Sequence, residues 1–197
     1  MKQGLMIDMD GVIYAGEELI KDADRFVARM LKEKIDFIFL SNNSSRSRRE
    51  AVEKLENVGV KGITEDHIYT SAMATAAFLK DEFPGCSAYV LGEGGLLKSL
   101  EHAGIRLVDR QPDFVILGEG YQFDLKMVHK AVDMIIAGAR FITTNRDPSP
   151  RRGRLEQPRY RSYGRHDRGR QRPSCICDRE TQPRHDALCQ RLHGTLP

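Results

Sequence analysis

Two carboxylates stand two residues apart near the start of the chain. In LMIDMDGVIY (residues 5–14) they are Asp8 and Asp10, followed at once by Gly11. The run GLMID (residues 4–8) is short and apolar, which predicts a buried strand that stops at a functional edge. A carboxylate at a strand tip can attack phosphorus as a nucleophile. A second one, two positions on, can protonate a leaving oxygen and later activate water. A hard cation is expected between two such groups, because phosphoryl transfer depends more on neutralised charge than on assembled bonds. The same spacing also suits an Asx-turn or a helix cap, and taken alone it leaves both readings open.

A second constellation follows about thirty residues later, in LSNNSSRSRRE (residues 40–50). It offers the Ser41 hydroxyl, the side-chain amides of Asn42 and Asn43, and a helix start expected near Ser44. A hydroxyl, backbone N–H groups and a helix N-terminus together form an anion site. Ser45 and Ser47 read as helix-capping residues. Arg46, Arg48 and Arg49 read as a solvated helix face.

These residues need elements to position them. Helical spacing is expected through KDADRFVARMLKEK, with Phe26, Met30 and Leu31 inward, and through RREAVEKLENVGV, with Val52, Leu55 and Val58 inward and Gly59 closing the helix. Apolar runs intervene: IDFIFLSNN, HIYT, AYVLG, DFVILG and RFITTN. Helical stretches lie between the later ones, in SAMATAAFLKDEF, GLLKSLEHAG and DLKMVHKAVDMIIAG. Strand alternating with helix means an α/β fold, a parallel sheet with flanking helices. Such sheets carry function at the carboxyl ends of their strands, where DMDG, SNNS and TTNRD fall. GEGG (residues 92–95) reads as a strand-to-helix connection rather than a phosphate loop. His129 lies within a helical apolar pattern and reads as packed.

The order of these motifs resembles the haloacid dehalogenase superfamily. DMDGVIY and LSNNS are similar to its first two motifs. YTSAMATAAFL, AYVLGEGGLLKSL, PDFVILGEG, MVHKA and GARFITTNRD resemble its NagD-type phosphatases, whose best-known members dephosphorylate ribonucleoside monophosphates. The resemblance covers residues 4 to about 148. It implies Asp8 as a nucleophile forming an aspartyl-phosphate and Asp10 as general acid and base. It implies Mg2+ held by Asp8 and by Asp10 through its carbonyl, with Ser41, Asn42 and Asn43 on the phosphoryl group. It further implies a core over residues 1–83 and an inserted α/β cap beginning in residues 84–150, with Asn145 and Asp147 as specificity contacts. The implied substrates are small phosphomonoesters such as nucleoside monophosphates and sugar phosphates. The superfamily's third and fourth motifs, typically GKP and GDN, are absent from the sequence, so both core and cap are expected to be incomplete and turnover impaired.

Residues 151–197 differ in kind. They hold 12 Arg and no Lys against five acids, whereas residues 1–150 hold 19 Lys and Arg against 23 acids. They have few large apolar residues and no sustained period, so by composition they cannot offset their ordering entropy. One explanation is a basic arm gripping nucleic acid, with Tyr160 and Tyr163 stacking on bases. Another is a shifted reading frame. DRETQPRHDAL (residues 178–188), read one nucleotide later with one synonymous codon choice, spells Ile-Gly-Lys-Pro-Asn-Pro-Val-Met-Met-Arg. The missing GKP is then latent in the gene, and one nucleotide gained or two lost near codons 148–151 accounts for the Arg excess. The frame explanation is preferred. The nucleic-acid arm and a non-catalytic interaction protein of the same fold are kept as alternatives.

Composition narrows the rest. Cys86 stands apart from Cys175, Cys177 and Cys189, so neither a disulfide framework nor a zinc site of paired spacing is expected. No apolar run reaches the roughly 20 residues that span a bilayer. With no signal-peptide layout at the start, a cytoplasmic location without membrane contact is expected. Oligomeric state has no sequence signature.

Overall fold

The computed structural model describes residues 4–120 and 122–145. Strand β1 (Leu5–Asp8) leads through a turn to a short hairpin of β2 (Tyr14–Ala15) and β3 (Glu18–Leu19). Helix α1 (Ala23–Glu33) and strand β4 (Phe37–Ser41) follow, then α2 (Arg48–Asn57), a 3-10 turn at Glu65–His67, β5 (Ile68–Thr70) and α3 (Ser71–Glu82). The second half runs β6 (Ser87–Leu91), α4 (Gly95–His102), β7 (Arg106–Leu107), β8 (Phe114–Leu117), α5 (Leu125–Ile136) and β9 (Arg140–Thr143). The alternation expected from the sequence is present, and the two-residue strands β2, β3 and β7 are additions too short to leave a periodic pattern.

The strands form two parallel sheets, ordered β1-β4-β5 and β7-β6-β8-β9, beside the β2-β3 hairpin. Each sheet has its own apolar cluster. The first gathers Ile7, Met9, Val27, Phe39, Leu55 and Ile68. The second gathers Leu79, Leu96, Leu100 and the whole of β8, which is buried along its length as a central parallel strand should be. The buried face of α3 joins this second cluster.

Several sequence expectations are corrected. In α1 the buried face is Ala23, Val27 and Met30, while Phe26 is 46 % exposed; the 23/27/30 stripe faces the sheet and 26 lies outside it. In α2 the buried residues are Ala51, Lys54 and Leu55, and Val52 and Val58 are only half-buried. Strand β1 is apolar from Leu5 to Ile7, yet Leu5 and Met6 are exposed, because among the described residues β1 pairs only with β4. His129 is exposed, since α5 turns Val128, Ala131 and Ile135 inward. No helix among the described residues is long and apolar enough to cross a membrane.

Candidate active site

The backbone reverses directly after β1. Gly11 adopts φ +83, a left-handed conformation that costs glycine little and other residues more, and donates its N–H to the Tyr14 carbonyl at 2.8 Å. Ile13 donates to the Met9 carbonyl at 2.9 Å. Burial then sorts the turn: Met9 and Ile13 are each 1 % exposed, and Asp8 and Asp10 are exposed. The Asp8 carboxylate accepts the Met9 N–H at 2.7 Å, which orients it at the strand tip.

Strand pairing brings the second constellation alongside. Asp8 lies opposite Leu40, so Ser41 is one residue beyond on the same carboxyl edge, itself opposite Thr70. The Ser41 hydroxyl accepts the Asn43 N–H at 3.2 Å. Asn43 holds the loop: its carboxamide oxygen accepts from the Ser45 N–H (3.0 Å), the Ser45 hydroxyl (2.8 Å) and the Arg46 N–H (3.2 Å). This is the local side-chain-to-backbone bonding that Asn favours in turns. The Asn42 carbonyl accepts the Ser71 hydroxyl at 2.9 Å, and Asn42 is exposed beside Ser41.

Helix α2 begins at Arg48, not near Ser44. Ser47 is its cap, in a reciprocal box in which its hydroxyl takes the Glu50 N–H and the Glu50 carboxylate takes the Ser47 N–H. The Ser47 hydroxyl also donates to the Glu50 carboxylate at 2.6 Å, and that bond, with the one from the Ser47 N–H, holds the Glu50 carboxyl below the usual carboxylate range. Ser45 is a loop residue. The three arginines also part company. Arg49 pairs with Glu53 at 2.9 Å on the surface, and Arg48 pairs with Asp66 at 2.7 Å. Arg46 instead reaches the Tyr14 hydroxyl, beside both aspartates.

Tyr14 is only 1 % exposed, and its hydroxyl is pushed up to about 12, first by burial and then by the negative charge of Asp10. The Arg46 guanidinium opposes that shift and Asp8 adds to it. The folded chain therefore keeps this proton after the unfolded chain, titrating near 10, has released it. Stability is expected to be full below pH 10 and to fall as pH rises from about 10 towards 12. Urea midpoints measured across that range should show the fall, and Tyr14→Phe should flatten part of it. An unchanged slope in the variant counts against the assignment. Under the same ring, the buried Lys54 ammonium lies 5.4 Å from the Tyr14 centroid and pairs with Glu17, tying the hairpin to α2.

The second sheet meets the loop after β4. The Ser44 hydroxyl, fully buried, accepts the Glu119 N–H at 2.8 Å and the Thr144 hydroxyl at 3.0 Å. GEGG is the connection from β6 to α4, and its glycines permit close backbone approach. A Cβ on Gly94 would stand 2.3 Å from the Ser45 carbonyl oxygen, and one on Gly95 2.2 Å from that of Arg46. Asn145 follows Thr144 at the end of β9 and accepts the Thr143 hydroxyl on its carbonyl at 2.7 Å. Asp147 and the Arg-rich stretch lie outside the described residues. Sequence reasoning met Tyr14 and Thr144 only inside DMDGVIY and TTNRD and gave them no role, took Ser44 as a helix start, passed over Lys54, and read Arg46 as surface.

A groove lies elsewhere. About 1120 Å³ opens at the amino ends of β6, β8 and β9, lined by Phe83, Cys86, Asp113, Asp133 and Arg140 among others, away from Asp8 and Asp10. The Cys86 thiol there is pushed up by burial, which keeps it protonated and unreactive.

The donor chemistry suits a hard cation. Among the described residues no three His, Cys, Asp or Glu side chains gather as a metal-holding group. Asp8 and Asp10 offer two exposed oxygen donors, and Mg2+ is commonly held by one or two carboxylates, keeping several waters.

Residues 5–106, more than half of the chain, match the family described as haloacid dehalogenase-like hydrolase. The chain belongs to this family. Among curated relatives, the dihydroxyacetone phosphatase of Corynebacterium glutamicum (strain R) is 41 % identical over 148 residues, covering 74 % of this chain and 54 % of the relative. The ribonucleotide monophosphatase NagD of Escherichia coli (strain K12) is 36 % identical over 145 residues, covering 74 % and 57 %. The chain thus spans little more than half the length of these relatives. Among solved structures, NagD from E. coli superposes with a TM-score of 0.78 at 32 % identity, over 88 % of this chain and 68 % of that one. A 4-nitrophenylphosphatase from Thermotoga maritima gives 0.84 at 26 % identity, over 98 % and 74 %. The fold of this haloacid dehalogenase-like chain is accordingly the NagD-like arrangement of parallel sheets and helices.

Proposed function

We propose that this chain carries the nucleophile half of a phosphomonoester hydrolase. The observation that carries the reading is the shared edge: exposed Asp8 and Asp10 at the tip of β1, with Ser41 and Asn42 next to them at the tip of β4. An Asp8 carboxylate oxygen attacks phosphorus, forming an Asp8–phosphate bond as the ester P–O bond breaks. Protonated Asp10 gives its proton to the departing oxygen. Asp10, now a carboxylate, takes a proton from water as that water attacks the phosphorus, which releases inorganic phosphate and restores Asp8. Ser41, with Asn42 and the side-chain amide nitrogen of Asn43, orients the phosphoryl oxygens. Asp8 and the Asp10 carbonyl would hold Mg2+, which when bound neutralises phosphate charge.

The substrate class is taken from the relatives. One is named for dihydroxyacetone phosphate, one for ribonucleotides and others for acid sugar phosphates, so small phosphomonoesters are the proposed substrates. Asn145 and Asp147 are the proposed specificity contacts. Phosphate release from UMP and dihydroxyacetone phosphate in Mg2+, by a version of the chain with its frame restored after codon 150, tests this. Release from at least one is expected, and release from neither rejects the reading.

A further inference from the structure

The loop from Asn42 to Ser47 has no regular structure of its own, yet it must hold Ser41 and Asn42 still. Part of its order is internal, through Asn43. A second part comes from the first half, where the Ser71 hydroxyl donates to the Asn42 carbonyl. A third part comes from the second sheet. Ser44 spends both acceptor positions of its hydroxyl on that sheet, one on the Glu119 N–H and one on the Thr144 hydroxyl. Those partners lie 75 and 100 residues further along the chain, just past the carboxyl ends of β8 and β9. The Ser45 carbonyl accepts the Gly95 N–H at 2.7 Å. Gly118, next to Glu119, leaves room as well, since a Cβ there would stand 3.1 Å from the Ser44 oxygen.

Ser44 does not cap a helix, because α2 starts at Arg48 with Ser47 as its cap. Nor does it face substrate, since it is 0 % exposed. Its contacts serve to join the loop to the second sheet. We propose that Ser44 is a positioning residue: through it, the carboxyl edge of the second sheet sets the place of the 41–47 loop and so of the phosphate contacts Ser41 and Asn42. This rests on the proposed role of Ser41 and Asn42. The second sheet then does more than bound a substrate space; the anion loop is ordered only while that sheet is docked on it. A buried polar network of this kind is costly to leave half-satisfied, so removing one hydroxyl strands the Glu119 N–H.

The test uses the full chain and two readouts. Ser44→Ala, Thr144→Val and the double variant are compared with the parent by amide hydrogen exchange and by titration with inorganic phosphate followed by 31P NMR. Exchange in residues 42–47 is expected to quicken about tenfold or more in each single variant, with α1 unchanged. The double variant should be no faster than Ser44→Ala, because both single changes break one linkage. Phosphate affinity should weaken in parallel. Unaltered exchange in 42–47, or additive effects in the double variant, overturns the proposal. Quickened exchange with undiminished phosphate affinity overturns the positioning role. If Ser44→Ala does not fold, Thr144→Val alone decides on the same two criteria. A parent chain that binds no phosphate rejects the reading of Ser41 and Asn42, while exchange still decides whether the second sheet holds the loop.

Discussion

A version of the chain read in the alternative frame after codon 150 is expected to hydrolyse p-nitrophenyl phosphate in Mg2+ far faster than the 197-residue chain. The site offers the proposed nucleophile, acid and hydroxyl, but among the described residues neither Asp8 nor Asp10 forms an ion pair with a lysine of the kind the superfamily's third motif would supply. Lys54, buried under the Tyr14 ring, is committed to Glu17. Removing one preorganised group that stabilises developing charge costs on the order of 10²-fold in turnover or more. The ratio of kcat/KM between the two chains measures the effect. A 197-residue chain as active as the restored one refutes the claim that the missing motifs matter. Sequencing the gene is the companion measurement, since the frame explanation fails if its codons do not spell Gly-Lys-Pro one nucleotide on.

In the restored chain, Asp8→Asn is expected to lower kcat on the order of 10⁴-fold or more, the scale on which loss of a covalent nucleophile acts. The substitution is nearly isosteric. Asn keeps an oxygen that can accept the Met9 N–H, and position 8 is exposed, so stability should stay within about 0.5 kcal/mol. That separation of activity from stability is what marks a chemical role. Rapid acid quench during turnover should trap phosphate on the parent protein and none on the variant. Substantial kcat in Asp8→Asn, or phosphate trapped on it, removes Asp8 from the proposed role. An equal loss of stability makes the residue structural instead.

Much of the architecture was legible because parallel α/β units leave strong local patterns. FIFL and FVIL are apolar on both faces, the composition that a parallel strand packed between helices favours. The helices were legible by period, but the angle of each buried stripe was not, as Phe26 and His129 show. A stripe one residue wider or narrower is chemically plausible in isolation, and only the neighbouring sheet selects which residues it covers. The start of α2 was misplaced for a similar reason. Four serines in SSRS and its flanks could each cap a helix, and Glu50 three residues beyond Ser47 completes the reciprocal box at only one of them.

The sequence by itself determined the kinds of groups and their order: two carboxylates after the first strand, then hydroxyl and amides after the next core strand. Strand tips with those residue types imply one edge and one class of chemistry, because parallel strands must all point the same way. The tertiary structure alone decided what surrounds them. Tyr14 meets Arg46 across β3, α1 and β4, and Ser44 meets Glu119 and Thr144 across 75 and 100 residues. No local period records a hydrogen bond over such a separation. It exists only once two sheets have been folded and docked, which is why an unremarkable serine and three glycines turn out to hold the loop beside the two aspartates.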